Sequence, residues 1–108
     1  MNQRYRVRFH PRVRDDLRTI ATLISDYSGD AVAREKLAEI EAACRALQEV
    51  PHKGTLRDEI APGLRAIPAG RRAVIAFRVD DGEATVLIYA ITYGGADWAG
   101  RAGDRSGA

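Results

Sequence analysis

The sequence predicts an α+β fold: an N-terminal strand, an antiparallel helical hairpin, then a three-stranded antiparallel meander. Three observations predict it. YRVRF (5–9) alternates apolar and basic residues, the period of a half-buried strand. Two apolar stripes with alternating spacings of three and four then occupy residues 13–50, the period of amphipathic helices. From residue 63 to 92 the chain becomes short β-rich runs divided by Pro, Asp and Gly, which reads as strands joined by tight turns.

In YRVRF, Tyr5, Val7 and Phe9 fall on one face and Arg6 and Arg8, with Arg4 before them, on the other. Pro11 suits the first turn of a helix, where its missing N–H costs nothing. Val13, Leu17, Ile20, Ile24 and Tyr27 form the first stripe. SGD (28–30) ends it, with Asp30 placed as N-cap of the next helix. Ala33, Leu37, Ile40, Cys44 and Leu47 form the second stripe, up to Val50-Pro51. The expected strands are 63–67, 71–79 and 83–92, with PAG (68–70) as one turn. Asp81-Gly82 in DDG (80–82) is the signal of a two-residue hairpin.

Along 83–92, strict alternation sets Leu87, Tyr89 and Ile91 against Val86, Ile88 and Ala90. Both sets are apolar, so this strand should be internal to the sheet. Leu17, Ile20, Ile24, Leu37, Ile40, Cys44 and Leu47 should be buried with Phe77 and Leu87. The helices then cover one sheet face, and the other carries some combination of Arg6, Arg8, Arg65, Arg72 and Arg78. Residues 1–99 make one domain. GRAGDRSGA (100–108) has no apolar anchor and reads as a flexible tail.

The chain has 108 residues, 45% of them hydrophobic, and a formal charge of +2. That charge does not by itself argue for nucleic acid, although five arginines precede the first acid, Asp15. A single cysteine excludes an internal disulfide framework and a Cys-built zinc site, and Cys44 lies on an apolar stripe. His10 and His52 have no Cys or carboxylate at ligand spacing, so no metal or cofactor is expected. His10 reads as the end of the strand, whereas His52, beside Lys53, has a polar-loop and a catalytic reading. The absence of a signal-like or membrane-spanning run leads us to expect a cytoplasmic protein.

FHPRVRDDLRTIATLISDY, LQEVPHKGTLRDEIAPGLRAI, RRAVIAFRVDDGEATVLIYAIT and YGGADW occur in the order and spacing of the RelE/ParE superfamily. The chain resembles these toxin halves of type II toxin–antitoxin pairs from about residue 4 to 98. The resemblance implies a cognate antitoxin, with Arg65, Arg72 and Arg78 expected to pair with its carboxylates. Direct nucleic-acid binding is expected only within a toxin–antitoxin complex. RelE-like members are ribosome-dependent mRNA endonucleases, and that branch would assign catalysis here to Arg65, Arg72 and Tyr93. The loop Gly94–Trp98 carries no cation, however, and Asp97 repels a phosphodiester. It looks more like the ParE branch, associated with DNA gyrase. On that reading there are no catalytic residues, and Tyr93, Asp97 and Trp98 form a target-binding loop in which Tyr93 is an aromatic lid. An inactive antitoxin-binding module is the remaining alternative.

Overall fold

The computed structural model describes residues 4–107. A short strand, β1 (Arg6–Phe9), leads into the hairpin of α1 (Val13–Ser28) and α2 (Asp30–Ala46). β2 (Thr55–Leu56), β3 (Leu64–Ala69), β4 (Ala73–Asp80) and β5 (Thr85–Tyr93) follow, and α3 (Trp98–Arg105) closes the chain. The sheet order is β1-β5-β4-β3-β2. All neighbours are antiparallel except β1, which runs parallel to β5 with Arg6 opposite Thr85 and Phe9 opposite Ile88.

The hairpin buries its stripes on one sheet face. Ile20, Ile24, Ile40, Cys44 and Leu47 pack there with Ile75, Phe77, Val86, Ile88 and Ile91. Leu17, Leu37 and Leu87, expected in the core, are only half-buried at its margins. Tyr27 departs further: it is 85% exposed at the hairpin tip. Asp30 is the first helical residue and not the cap; Gly29, at φ 91°, holds the cap position. The Asp30 carboxylate accepts from the Ser25 hydroxyl across the turn.

Two strand readings also change. The β4–β5 connection is a four-residue turn, 81–84, in which Asp80 accepts from the Glu83 N–H and Ala84 takes the positive φ. The Asp81-Gly82 signal therefore marks the turn but not its length. In β5 the pairing slips between Ala76 and Phe77: Ala76 faces Ala90 whereas Phe77 faces Ile88. Tyr89 is the extra residue of a β-bulge, and a bulge reverses the alternation beyond it. Ile91 consequently joins Val86 and Ile88 under the hairpin, while Ala90 joins Leu87 and Tyr89 on the opposite face.

That opposite face has its own small core. Ala61, Leu64, Ala76, Tyr89, Ala90 and Ala102 are buried there, with Ile60 and Trp98 against them. The segment expected to be a flexible tail supplies part of this cover. Residues 98–105 are helical despite two glycines, because Asp97 caps the helix and Ala102 is fully buried against the sheet. Ala108 lies outside the described residues. No described helix is long and apolar enough to cross a membrane.

Candidate functional site

Tyr93 ends β5 opposite Ala73, the first residue of β4. That pairing brings Arg72 beside it, with the guanidinium 6.0 Å from the ring centroid. The Gly94 N–H donates to the Arg72 carbonyl, tying the two strand ends together. Gly94 and Gly95 then turn the chain at φ 67° and 87°, values that side-chain-bearing residues rarely adopt. Arg72 and Tyr93 line a groove of about 440 Å³ with Leu23, Tyr27, Val32 and Lys36 from the hairpin tip. The half-buried Tyr93 ring packs on the core beneath it. The groove thus offers two cations, two phenols and an apolar floor at one end of the sheet.

The rest of the strand-end loop has a structural occupation. The Asp97 carboxylate accepts from the Gly100 N–H at 3.0 Å, capping α3. Trp98 lies against the second core, with the Arg57 guanidinium 5.1 Å from its ring centroid. A side chain at Gly100 would run into the Asp97 carboxylate.

Arg65, Arg72 and Arg78 do not form one surface. Arg65 pairs with Phe77 and shares its face, whereas Arg78 pairs with Leu64 on the opposite face. Arg72 precedes β4 and lies six residues from Arg78, roughly 20 Å along an extended strand. Of the expected Arg face, Arg6, Arg8 and Arg78 do line one groove. Strand polarity explains the division: odd and even positions of a strand point to opposite faces.

Arg65 belongs to a different cluster at the far end of the sheet. Its Nη1 donates to the carbonyls of His52 (3.2 Å) and Lys53 (3.4 Å). His52 Nε2 lies 2.8 Å from Asp81 Oδ1, and the Tyr5 hydroxyl donates to the same oxygen at 2.6 Å. The Tyr5 hydrogen bond, followed by that of His52, holds the Asp81 carboxyl below its ordinary range despite partial desolvation. The same bond to Asp81 raises the Tyr5 phenol. Cys44 is buried, and desolvation, with Glu41 nearby, pushes its thiol up to about 12. At neutral pH it carries no nucleophilic thiolate.

One buried ion pair was not legible in the sequence. Asp16 is 4% exposed, and its carboxylate takes a bidentate pair of bonds from Arg105 at 2.6 and 2.9 Å. It also accepts the Ile91 N–H at 3.0 Å, while Arg105 donates to the Tyr89 carbonyl at 3.0 Å. β1 stops opposite Ile88, so this ion pair satisfies β5 backbone groups where no neighbouring strand continues and where the bulge disrupts the ladder. The available signal was Asp16 itself, three residues after Val13 and four before Ile20, a charge inside an apolar stripe.

This architecture is that of the small RelE/ParE-like toxins. The chain is similar to a chromosomal ParDE toxin–antitoxin structure from P. aeruginosa, at 22% identity and TM-score 0.71, covering 85% of this chain and 98% of that one. It is also similar to a chain of the RelBE2 toxin–antitoxin complex from Mycobacterium tuberculosis, at 27% identity and TM-score 0.61, covering 84% and 92%. A mutant of the E. coli toxin RelE in the free state matches at 15% identity and TM-score 0.65, covering 97% and 99%. No curated protein sequence matches. Residues 7–98 match the family model described as the ParE toxin of the type II toxin–antitoxin system parDE, and the chain belongs to that family.

Proposed function

We propose that this protein is a ParE-like growth-inhibiting toxin that acts on DNA gyrase in the cytoplasm and is neutralised by a cognate antitoxin. The carrying observation is the dispersal of the ribonuclease set. Arg72 and Tyr93 meet at one end of the sheet, while Arg65 binds loop carbonyls at the other. Metal-free RNA cleavage needs a cation over the developing phosphate charge together with a correctly placed proton donor and acceptor. The strand-end loop adds no cation to the Arg72–Tyr93 pair, and its carboxylate caps α3.

The antitoxin reading draws support from the neighbours, two of which are described as a toxin–antitoxin system and a toxin–antitoxin complex. The groove at the hairpin tip, with exposed Tyr27 and Leu23 beside Arg72 and Lys36, suits an amphipathic acidic segment that orders on binding. Two assays on purified protein test the target. Inhibition of gyrase supercoiling that survives Tyr93→Phe is the expected result. Cleavage of mRNA on translating ribosomes, abolished by Arg72→Ala or Tyr93→Phe, would make the protein an endonuclease instead. Inactivity in both assays, with binding to a cognate antitoxin intact, would leave an antitoxin-binding module.

A further inference from the structure

A second basic surface lies away from the Arg72–Tyr93 groove, and its arginines outnumber its acids. Arg6 and Arg8 are exposed on one face of β1, and Arg14 and Arg18 are exposed one turn apart on α1. Two adjoining grooves, of about 740 and 800 Å³, share Phe9, His10 and Pro11 as their common wall. Arg6, Arg8 and Arg78 line the first groove, and Arg14 and Arg18 line the second. A continuous strip of cations therefore runs from the strand onto the helix.

In sequence, Asp15 and Asp16 fall in the middle of this strip. In the fold, Asp15 faces Arg12 at 3.8 Å, and Asp16 is buried beneath Arg101 and Arg105. None of Arg6, Arg8, Arg14 and Arg18 has a carboxylate within 4.0 Å among the described residues. Asp80 and Glu83 also line the first groove at the Arg6 end, where Thr85 pairs with both Arg6 and Asp80. The Glu83 N–H on Asp80 leaves that charge in place, so the two grooves carry five arginines against two acids.

We infer that this strip binds single-stranded nucleic acid, with the backbone phosphates on the arginines and a base against Phe9. Arg6 and Arg8 are two residues apart on a strand, about 6.6 Å, and both line the first groove. Phe9 is 51% exposed where the grooves meet. A basic groove that follows the backbone, with an aromatic ring for bases to stack on, is the usual construction of single-strand sites. An acidic peptide would use the arginines but has no planar base for the ring. The inference does not depend on the gyrase reading, since it concerns other residues and a different ligand.

The test is fluorescence anisotropy with 5′-fluorescein-labelled 12-mers of uridine and thymidine, and with a labelled decaglutamate peptide, on the full chain. Binding at micromolar concentration in 50 mM salt is expected, weakening about 50-fold at 200 mM if about four phosphates are neutralised. Arg8→Glu with Arg14→Glu should cost at least tenfold. Arg34→Glu with Arg71→Glu, the same charge change at exposed positions off the strip, should cost less than threefold. Phe9→Ala should weaken binding about tenfold without altering the salt dependence, the signature of lost stacking. The uridine-to-thymidine ratio tells RNA from DNA, and either preference supports the site. Thermal unfolding of each variant checks that it is folded. Three results would overturn the inference: no anisotropy change at 100 μM protein, equal loss in the two double variants, or decaglutamate binding as tightly as the oligonucleotides.

Discussion

Single side chains carry two separable loads here, packing and surface hydrogen bonding. Ile40 is 1% exposed in the middle of α2 and contacts the main core. Ile40→Ala should cost roughly 2–5 kcal/mol, read from denaturant unfolding; a loss below about 0.5 kcal/mol would place it outside the core. Asp81 is exposed, and its contribution is best read through pH. Its folded pKa is lowered, so the carboxylate stabilises the fold above the unfolded aspartate value of about 3.9, and this is lost as pH falls through the folded pKa. Wild type should unfold at a higher temperature than Asp81→Asn at pH 7, and the gap should close as the solution is acidified below the ordinary aspartate range. Tyr5 has the opposite dependence. Its raised pKa confers stability present below about pH 10 and lost as pH rises through the folded value. The wild-type advantage over Tyr5→Phe should therefore disappear in strong alkali, and shrink in acid as Asp81 is protonated.

The elements show which physical signals a sequence carries. β1 and both long helices were legible because one side of each meets solvent and the other a core, which prints a period of 2 or 3.6 on the residues. Trp98–Arg105 was not legible. Its composition is poor for a helix, and what holds it is tertiary: the Asp97 cap, Ala102 against the sheet, and Arg105 on Asp16. The bulge at Tyr89 was hidden for a related reason, since a strand apolar on both faces hides a reversal of alternation. At the candidate site, the Arg72–Tyr93 contact follows from strand pairing, whereas the separation of Arg65 and Arg78 required knowing which positions share a face. Arg105→Ala tests the weight of the third helix. It leaves the buried Asp16 carboxylate without its bidentate partner, a change that typically costs about 3–5 kcal/mol. The melting temperature should fall by more than about 10 °C. A fall of under about 2 °C would mean that water replaces the guanidinium.

At the scale of the whole molecule, the sheet assigns different chemistry to its two ends and two faces. The hairpin face closes over aliphatic side chains, the opposite face is covered by α3 and the 57–63 loop near its centre, and cations are left at the margins. If the two basic regions are independent, Arg72→Ala should change antitoxin or gyrase behaviour while leaving oligonucleotide anisotropy within twofold, and Arg8→Glu with Arg14→Glu should do the reverse. The parallel pairing of β1 with β5 has a further consequence during synthesis. Arg6 emerges from the ribosome first, yet its partner Thr85 lies 79 residues later (85 − 6). At about 5–20 residues per second, the first strand waits roughly 4–16 s for the strand that completes its sheet. Arg105, which closes over that strand at Asp16, arrives later still. A nascent chain therefore holds neither the finished sheet nor the strand-end groove until β5 and the residues that close over it have been made.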